Sequence, residues 1–346
     1  MDVKDFYFDL QMCIRDRQNT IRRFISLAML FVLVILFSAT SDYFLQAKNI
    51  ISIFRDASVI GIVGIGVTYV IITGGIELST GSALALVGMV MANIYRYTTL
   101  PIWLMLAAGI VVGLAAGWFN GFIITRFCLP EFIATLSTLS IYRALTYVIA
   151  IKENGIITSQ PMKDYRFTVF GGSVGGIYYV TIAFFVLAVI GQVILKKTRF
   201  GTNLYAVGSN KKAAELSGIH TDRTRMAAFV IVGFCVAVGS IFTTSRLQST
   251  TAVLGTGLEF NVIAAVVVGG CALDGGRGDV IGTVIGALFM SVLDNGIYKY
   301  QINTAYQPII KGAIIILVVV FDAWYNKRME QASKNRKRLC EEVTAS

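Results

Sequence analysis

The sequence predicts an all-α polytopic membrane protein of about ten transmembrane helices, and three observations carry that prediction. Of the 346 residues 55% are hydrophobic and only 14% are charged, whereas a soluble domain carries charge on roughly a quarter of its residues. Apolar runs of spanning length recur from end to end, separated by short polar intervals. The 33 Gly against four Pro, with small residues throughout the runs, suit helices that approach closely in lipid. A membrane barrel would instead show alternating segments of about ten residues.

The elements follow in order. Residues 1–23 form a polar segment ending in Arg22 and Arg23 ahead of the apolar run 24–40, so the positive-inside rule puts the N-terminus in the cytoplasm and makes the first run a retained span. Residues 49–56 (NIISIFRD) are too short and polar to cross and are expected at the outer interface. Spans are then expected over 57–73, 81–95, 102–125, 132–151 and 177–195, with an external interval 152–176 between the last two. They complete a first transmembrane half, 24–195.

A basic cytoplasmic loop, 196–225, divides the chain, and a second half, 226–324, holds spans over 226–246, 260–271, 280–297 and 306–324. The basic tail 325–346 returns to the cytoplasm, and this topology places about 20 of the 30 Lys and Arg residues inside. The run 260–271 is short for a crossing; it begins nearer Thr256 or belongs to a broken helix. The halves also echo each other as an internal pseudo-repeat: residues 59–90 and 262–290 each read as apolar helix, Gly-Gly, polar break and small-residue helix. Interrupted helices in matching positions point to a transport path.

The net charge of +10 is explained by topology rather than nucleic acid, because the basic residues flank apolar spans. Five Cys show neither paired nor metal-type spacing, so no metal and no disulfide is expected. The stretch QMCIRDR near the N-terminus suggests nothing further.

Chemistry is concentrated in a few places. In Gly74-Gly75-Ile76-Glu77-Leu78-Ser79-Thr80-Gly81-Ser82 the backbone must be buried in protein or face a water-filled cavity, and Glu77 is an ionisable group near membrane depth. The segment reads as a pathway or gate, or as a plain turn in which Ser79 caps the next span. Its counterpart, 269–279, carries Gly275, Gly276 and Arg277, with Asp274 and Asp279 close enough to neutralise the arginine; it lacks the spacing of a nucleotide-binding loop. Arg143 and Asp294 are charges within spans and are expected to face the bundle interior. The one His, His220, lies in the central loop, which argues against a proton-coupled carrier. In that loop Ser209-Asn210 cap a short helix over 211–216 that displays Ala213 and Ala214 beside Glu215, and Gly218 ends it. It is a docking element for a cytoplasmic partner or an incidental turn of a solvated loop.

Four ordered stretches carry a resemblance. RFGTNLYAVGSNKKAAELSGI resembles the cytoplasmic coupling segment of permease subunits of bacterial ATP-binding-cassette importers for ribose, xylose, galactose and related sugars. GGIELSTGS is similar to that family's GGIDLSVGS-type signature, VVVGGCALDGGRGDVIGTVIGAL to its second glycine-rich signature, and a fourth match runs from Asn120-Gly121 through Pro130 and Thr135 to Arg143. The likeness covers about residues 50–325. Departures are Glu77 for the usual Asp, Cys271 for a small hydroxyl residue, Asp274 for Ser and Ala144 for Gly.

The resemblance implies a non-enzymatic permease of the bacterial inner membrane with no cofactor of its own. ATP would be bound by cytoplasmic subunits gripping Ala213, Ala214, Glu215 and Gly218. An extracytoplasmic binding protein would deliver the sugar, and a second permease chain, identical or paralogous, would complete the channel. Gly74, Gly75, Glu77, Ser79, Gly81, Asn120, Arg143, Gly275, Gly276, Arg277 and Asp294 would line or gate it. Two other expectations stay open: a nucleoside or branched-chain amino-acid importer permease, and an ion-coupled secondary carrier.

Overall fold

The computed structural model describes residues 24–150, 152–153, 156–157, 159–300, 306–313, 316–317 and 320. The expected polar N-terminal segment, the basic tail and much of the last expected span therefore lie outside the described residues. Two units are distinguished, Met1–Gly296 and Ile297–Ser346. The second contains the last residues of a helix and further helical residues at 307–313; all that follows concerns the first.

Helices α1 (Phe24–Thr40), α2 (Ala47–Ile72), α3 (Thr80–Tyr97), α4 (Ile102–Arg126) and α5 (Glu131–Ile149) form the beginning of the chain. A segment of short strand pairs follows: β1 (Lys152–Glu153) with β2 (Ile156–Ile157), and β4 (Ser173–Val174) with β5 (Ile177–Tyr178), both antiparallel. Between them lie β3 (Gln160–Pro161) and α6 (Tyr165–Thr168). The β4–β5 turn is Gly175-Gly176, both at positive φ (+57° and +84°), which a tight hairpin requires. Then come α7 (Tyr179–Lys197), α8 (Arg199–Ser209), α9 (Lys211–Leu216), α10 (Thr221–Leu247), β6 (Ser249–Thr250), α11 (Leu258–Val268) and α12 (Val280–Lys299). Strand β6 pairs back onto β3, tying the loop after α10 to the strand segment.

Six helices, α2, α4, α5, α7, α10 and α12, are long and apolar enough to cross a membrane, and α1 and α11 are shorter apolar helices. Their surroundings differ. The apolar windows of α2 and α10 are 61% buried and that of α12 is 67% buried, against 28% for α4 and α5. Inner helices pack against protein over most of their surface, whereas outer ones keep a broad apolar face for lipid. Glycine explains how α2 reaches the centre. A Cβ on Gly61 would run into the Phe184 ring of α7, one on Gly64 would lie 3.0 Å from Thr283 of α12, and one on Gly66 would lie 2.8 Å from the Val232 backbone of α10. Three small positions thus admit three neighbours.

Two expectations are corrected. Residues 49–56 do not form a separate interfacial segment but the first turns of α2, since nothing in them breaks a helix. Their charges are neutralised locally, with Arg55 and Arg246 both on Asp56 and Arg55 also 5.3 Å from the Tyr178 ring centroid. The central polar interval is not a loop with one helical turn, because the 11 residues of α8 fill about a third of it. The short run near 260 resolves toward a broken helix: α11 has 11 residues, about 16 Å of rise, and non-helical residues 251–257 precede it.

Candidate functional site

Two helix breaks meet here. The first, Thr73–Ser79, begins where α2 stops in a Schellman turn: Gly74 N donates to Ile71 O (2.9 Å), Gly75 N donates to Val70 O (3.0 Å), and Gly74 sits at φ +85°. The second, Gly269–Asp279, begins the same way after α11. Gly270 N donates to Val267 O (2.8 Å), Cys271 N to Val266 O (3.1 Å), and Gly270 has φ +93°.

Backbone meets backbone between them. Gly276 N donates to the last carbonyl of α2, Ile72 O (2.8 Å). A Cβ on Gly275 would lie 2.8 Å from Gly74 N and 2.9 Å from Gly208 O, and one on Gly276 would lie 2.6 Å from Ser209 Oγ. The end of α8 is wedged into this contact: a Cβ on Gly208 would overlap Ile72 O and lie 2.5 Å from Gly276 N. Tyr205, one turn earlier on α8, donates to Gly278 O (2.7 Å). Helix α8 therefore touches both breaks at once.

The first break carries a buried polar network. Glu77, only 1% exposed, accepts from Ser79 N and Ser79 Oγ (both 2.6 Å) and from Asn120 Nδ2 of α4 (2.8 Å). The same Asn120 nitrogen reaches Ser79 Oγ (2.9 Å), while Asn120 Oδ1 accepts from Tyr142 OH of α5 (3.0 Å). Thr135 Oγ1 of α5 donates to Ile76 O (3.1 Å). A buried carboxylate is tolerable when donors surround it, and non-helical backbone at such a place needs side chains to satisfy it. Ser79 accordingly points to Glu77 and, against the expectation of a cap, makes no side-chain cap on α3.

Beside Gly75 lies an ion pair between Glu131, which opens α5, and Arg225 of α10, whose Nε donates at 2.8 Å and whose Nη2 also reaches Oε1. Both side chains are largely buried, at 9% and 15% exposure. A Cβ on Gly75 would collide with the Glu131 carboxylate.

The remaining expected residues divide. Gly81 is not at this junction; it packs on the backbone of Gly255 and the carboxylate of Glu259. Arg143 Nη1 donates to Ala252 O (2.6 Å) and Leu254 O (2.9 Å), and so holds the segment before α11. Arg277 contributes its carbonyl to Ala272 N (3.1 Å), while Asp279 Oδ1 caps α12 through Gly282 N (2.7 Å). Asp294 lies 14 residues into α12, about 21 Å of rise from the break, half-buried beside the Asn295–Asn49 amide pair.

Helix α9 forms over Lys211–Leu216. Asn210 caps it through Ala213 N (3.0 Å), and a Schellman turn ends it at Gly218, φ +79°. One expectation there is reversed. Ala213 is displayed, but Ala214 is 4% exposed and faces inward; the large exposed side chain is Leu216, at 90%. Glu215 accepts from Thr221 Oγ1 (2.9 Å) and so also fastens α9 to α10.

Sequence reasoning missed Gly208, Tyr142, Glu131 and Arg225. Each lay inside or next to a stretch already singled out, but none stands out by type; only the folded chain shows what they touch. Among the described residues no group of three or more His, Cys, Asp or Glu is placed to hold a metal.

Comparison with known proteins shows the family. The chain is 38% identical over 294 residues to the ribose import permease protein of Bacillus subtilis, covering 85% of this chain and 90% of that one. It is 34% identical to the D-allose transport system permease protein of Escherichia coli, over 86% of this chain and 91% of that protein. It is 30% identical to the xylose transport system permease protein of Haemophilus influenzae, with 88% and 97% covered. Residues 49–319 match the model of a permease family, and the chain belongs to that family, the permease components of the branched-chain amino acid transport system type.

Proposed function

We propose that the chain is the membrane-spanning permease subunit of an ATP-driven importer of a monosaccharide, in the ribose, allose and xylose class, in a bacterial inner membrane. The observation that carries the reading is the wedge of α8 between the two breaks: a movement imposed on α9 is transmitted through Gly208 to Ile72 and Gly276 together. Cytoplasmic ATP-binding subunits dock on the α8–α9 arm and supply the energy, since the chain has no nucleotide-binding loop of its own. An extracytoplasmic binding protein delivers the sugar at the opposite end, and a second permease chain completes the channel.

In this reading both termini are cytoplasmic and α1, α3, α11 and the run from 306 join the six long helices to make about ten spans. The helix–break–helix stretches at 59–90 and 262–290 are the two members of a pseudo-repeat. Glu77, Ser79 and Asn120 define the position of the first break along the path, and Gly275 and Gly276 let the second follow.

The names of the relatives favour a sugar over the amino acid in the family's description. The test is uptake of labelled ribose into proteoliposomes holding this chain, its ATPase and its binding protein, with unlabelled allose, xylose and leucine as competitors. Uptake requiring ATP and all three components, and displaced by sugars alone, is the expected result. Uptake by this chain alone under a proton or sodium gradient overturns it; displacement by leucine moves the substrate to amino acids.

A further inference from the structure

The contact between Gly81 and Gly255 brings two helix starts together, and a carboxylate is trapped between them. Helix α3 begins at Thr80 and α11 at Leu258. A Cβ on Gly81 would overlap Gly255 O, and one on Gly255 would lie 2.8 Å from Gly81 O, so the two backbones touch with no side chain between. Glu259, in the first turn of α11, is 7% exposed. Its Oε1 accepts from Gly257 N (3.2 Å), whereas Oε2 is buried against Gly81 with no hydrogen-bond partner among the described residues. Thr80, 1% exposed, likewise has an Oγ1 without a partner there.

A third such atom lies along the same face of α3. Gly88 follows Gly81 by two turns, which places both on one side of the helix. A Cβ on Gly88 would lie 2.9 Å from Thr250 Oγ1, which is also buried and without a partner among the described residues. Arg143, which holds Ala252 O and Leu254 O, is within electrostatic reach of Glu259 and contributes positive charge. Buried polar oxygens are ordinarily paired, and a carboxylate oxygen left without a donor is costly. Two of them beside one glycine face, with a third on Thr80 next to Gly81 in the chain, are explained if this conformation is closed and another fills those places.

We propose that Glu259, Thr80 and Thr250 form a binding track for the hydroxyl groups of a neutral polyol or sugar, closed here by the Gly81–Gly255 contact. The proposal rests on the importer reading and adds a substrate subsite to it. Carboxylate and threonyl oxygens accept from sugar hydroxyls, and the threonines also donate. Parting of the α3 and α11 starts exposes the track, and no hydrogen bond between Gly81 and Gly255 has to be broken for that to happen.

The test uses the complete complex in proteoliposomes, with labelled ribose as the probe and Glu259→Cys, Glu259→Gln and Thr80→Val in the full chain. Glu259→Cys is treated with a small hydrophilic thiol reagent, and mass spectrometry of the peptide carrying that position reads the extent of reaction. The expected result is reaction during ATP turnover, slowed by ribose, and little in the resting complex. Glu259→Gln and Thr80→Val are expected to lower uptake about tenfold while leaving detergent melting temperatures close to wild type.

A Glu259→Cys variant equally inert at rest and in turnover, together with full uptake by Glu259→Gln or Thr80→Val, overturns the track. Wild-type ATP-dependent uptake alongside that result leaves the importer reading standing. Absence of wild-type uptake strikes the importer reading itself, and labelling of Glu259→Cys then still decides whether the helix starts part.

Discussion

The two breaks start identically and are then held by different means. Each helix ends in a Schellman turn on a positive-φ glycine, Gly74 or Gly270. The first break then runs through side chains of other helices: Thr135 takes the Ile76 carbonyl, Asn120 takes Glu77, and the Glu131–Arg225 pair lies against Gly75. The second closes on itself, with Ala272 N on Arg277 O and Gly275 N on Ala272 O, and meets α2 and α8 mainly through glycine backbone at Gly275 and Gly276, with Tyr205 OH of α8 donating to Gly278 O. Side-chain networks fix a position, because every buried donor and acceptor must find its partner again after a shift. Glycine contacts fix only a distance. The first break is thus the anchored element and the second the compliant one, with α8 pressing on both.

The most severe way to break that arrangement is at the wedge. Gly208→Val puts a branched side chain onto Ile72 O and Gly276 N, main-chain atoms that cannot rotate away. Overpacking of this kind costs about 1–3 kcal/mol or more, and here the displacement falls on the link itself. Ribose uptake should fall below detection and become uncoupled from ATP hydrolysis by the partner subunits. Coupled transport by Gly208→Val would remove α8 from the transmission.

Next comes the ion pair beside the anchored break. Arg225→Gln leaves the largely buried Glu131 carboxylate without its cation, and removing one member of a buried pair costs about 3–5 kcal/mol. The double variant with Glu131→Gln should recover part of that, with a coupling of about 1–3 kcal/mol in a double-mutant cycle read from unfolding in detergent. Additive effects would mean that the pair does not support the break.

How much of this was legible beforehand depends on range. Helix positions were readable because lipid forces every spanning backbone into an apolar run, and α9 was readable because Asn210 and Gly218 mark its ends locally. Gly74, Gly75, Gly275 and Gly276 stood out by composition, and Gly74 and Gly275 do come together, while Gly75 packs on Glu131 instead. What stayed hidden needed three dimensions. Helix α8 is a short helix inside a polar interval, and although it buries Leu204 and Val207, the backbone contact made by Gly208 leaves no mark in the sequence. Ala214 turned inward rather than outward, because six residues are too few for periodicity to decide which face a helix buries. The continuation of α2 back to Ala47 was obscured by Arg55 and Asp56, which looked like an interface signal until Arg246 and Tyr178 were seen to accompany them.

A sharper comparison sets one substitution in each break side by side. Asn120→Leu removes the donor to Glu77 Oε2 and the acceptor of Tyr142 OH, leaving a buried carboxylate underserved; the expected loss is about 2–3 kcal/mol. Gly276→Ala in the compliant break meets positive φ (+71°), Ser209 Oγ and, at 3.1 Å, the Ser209 backbone, and should cost about 1–2 kcal/mol. Thermal unfolding of the two proteins in one detergent checks the order. A larger loss for Gly276→Ala would reverse the assignment of anchored and compliant.

The smallest effect is expected where the input arrives. Leu216 is 90% exposed at the end of α9 and packs little against the described residues, so Leu216→Ser should leave unfolding unchanged. A large apolar side chain held out on a helix fastened by Asn210, Glu215 and Gly218 is placed to enter a partner's pocket. Its loss should weaken co-purification of the ATP-binding subunits several-fold, by about 1–2 kcal/mol of docking free energy. Because α9 is fastened to α10 on one side and joined to α8 on the other, weaker docking should lower uptake and stimulated ATP hydrolysis in equal proportion. That pattern contrasts with Gly208→Val, where hydrolysis should outlast uptake. A Leu216→Ser protein that keeps its ATPase but loses transport would place the side chain in transmission rather than docking, and the arm would then have to be divided differently from the breaks it drives.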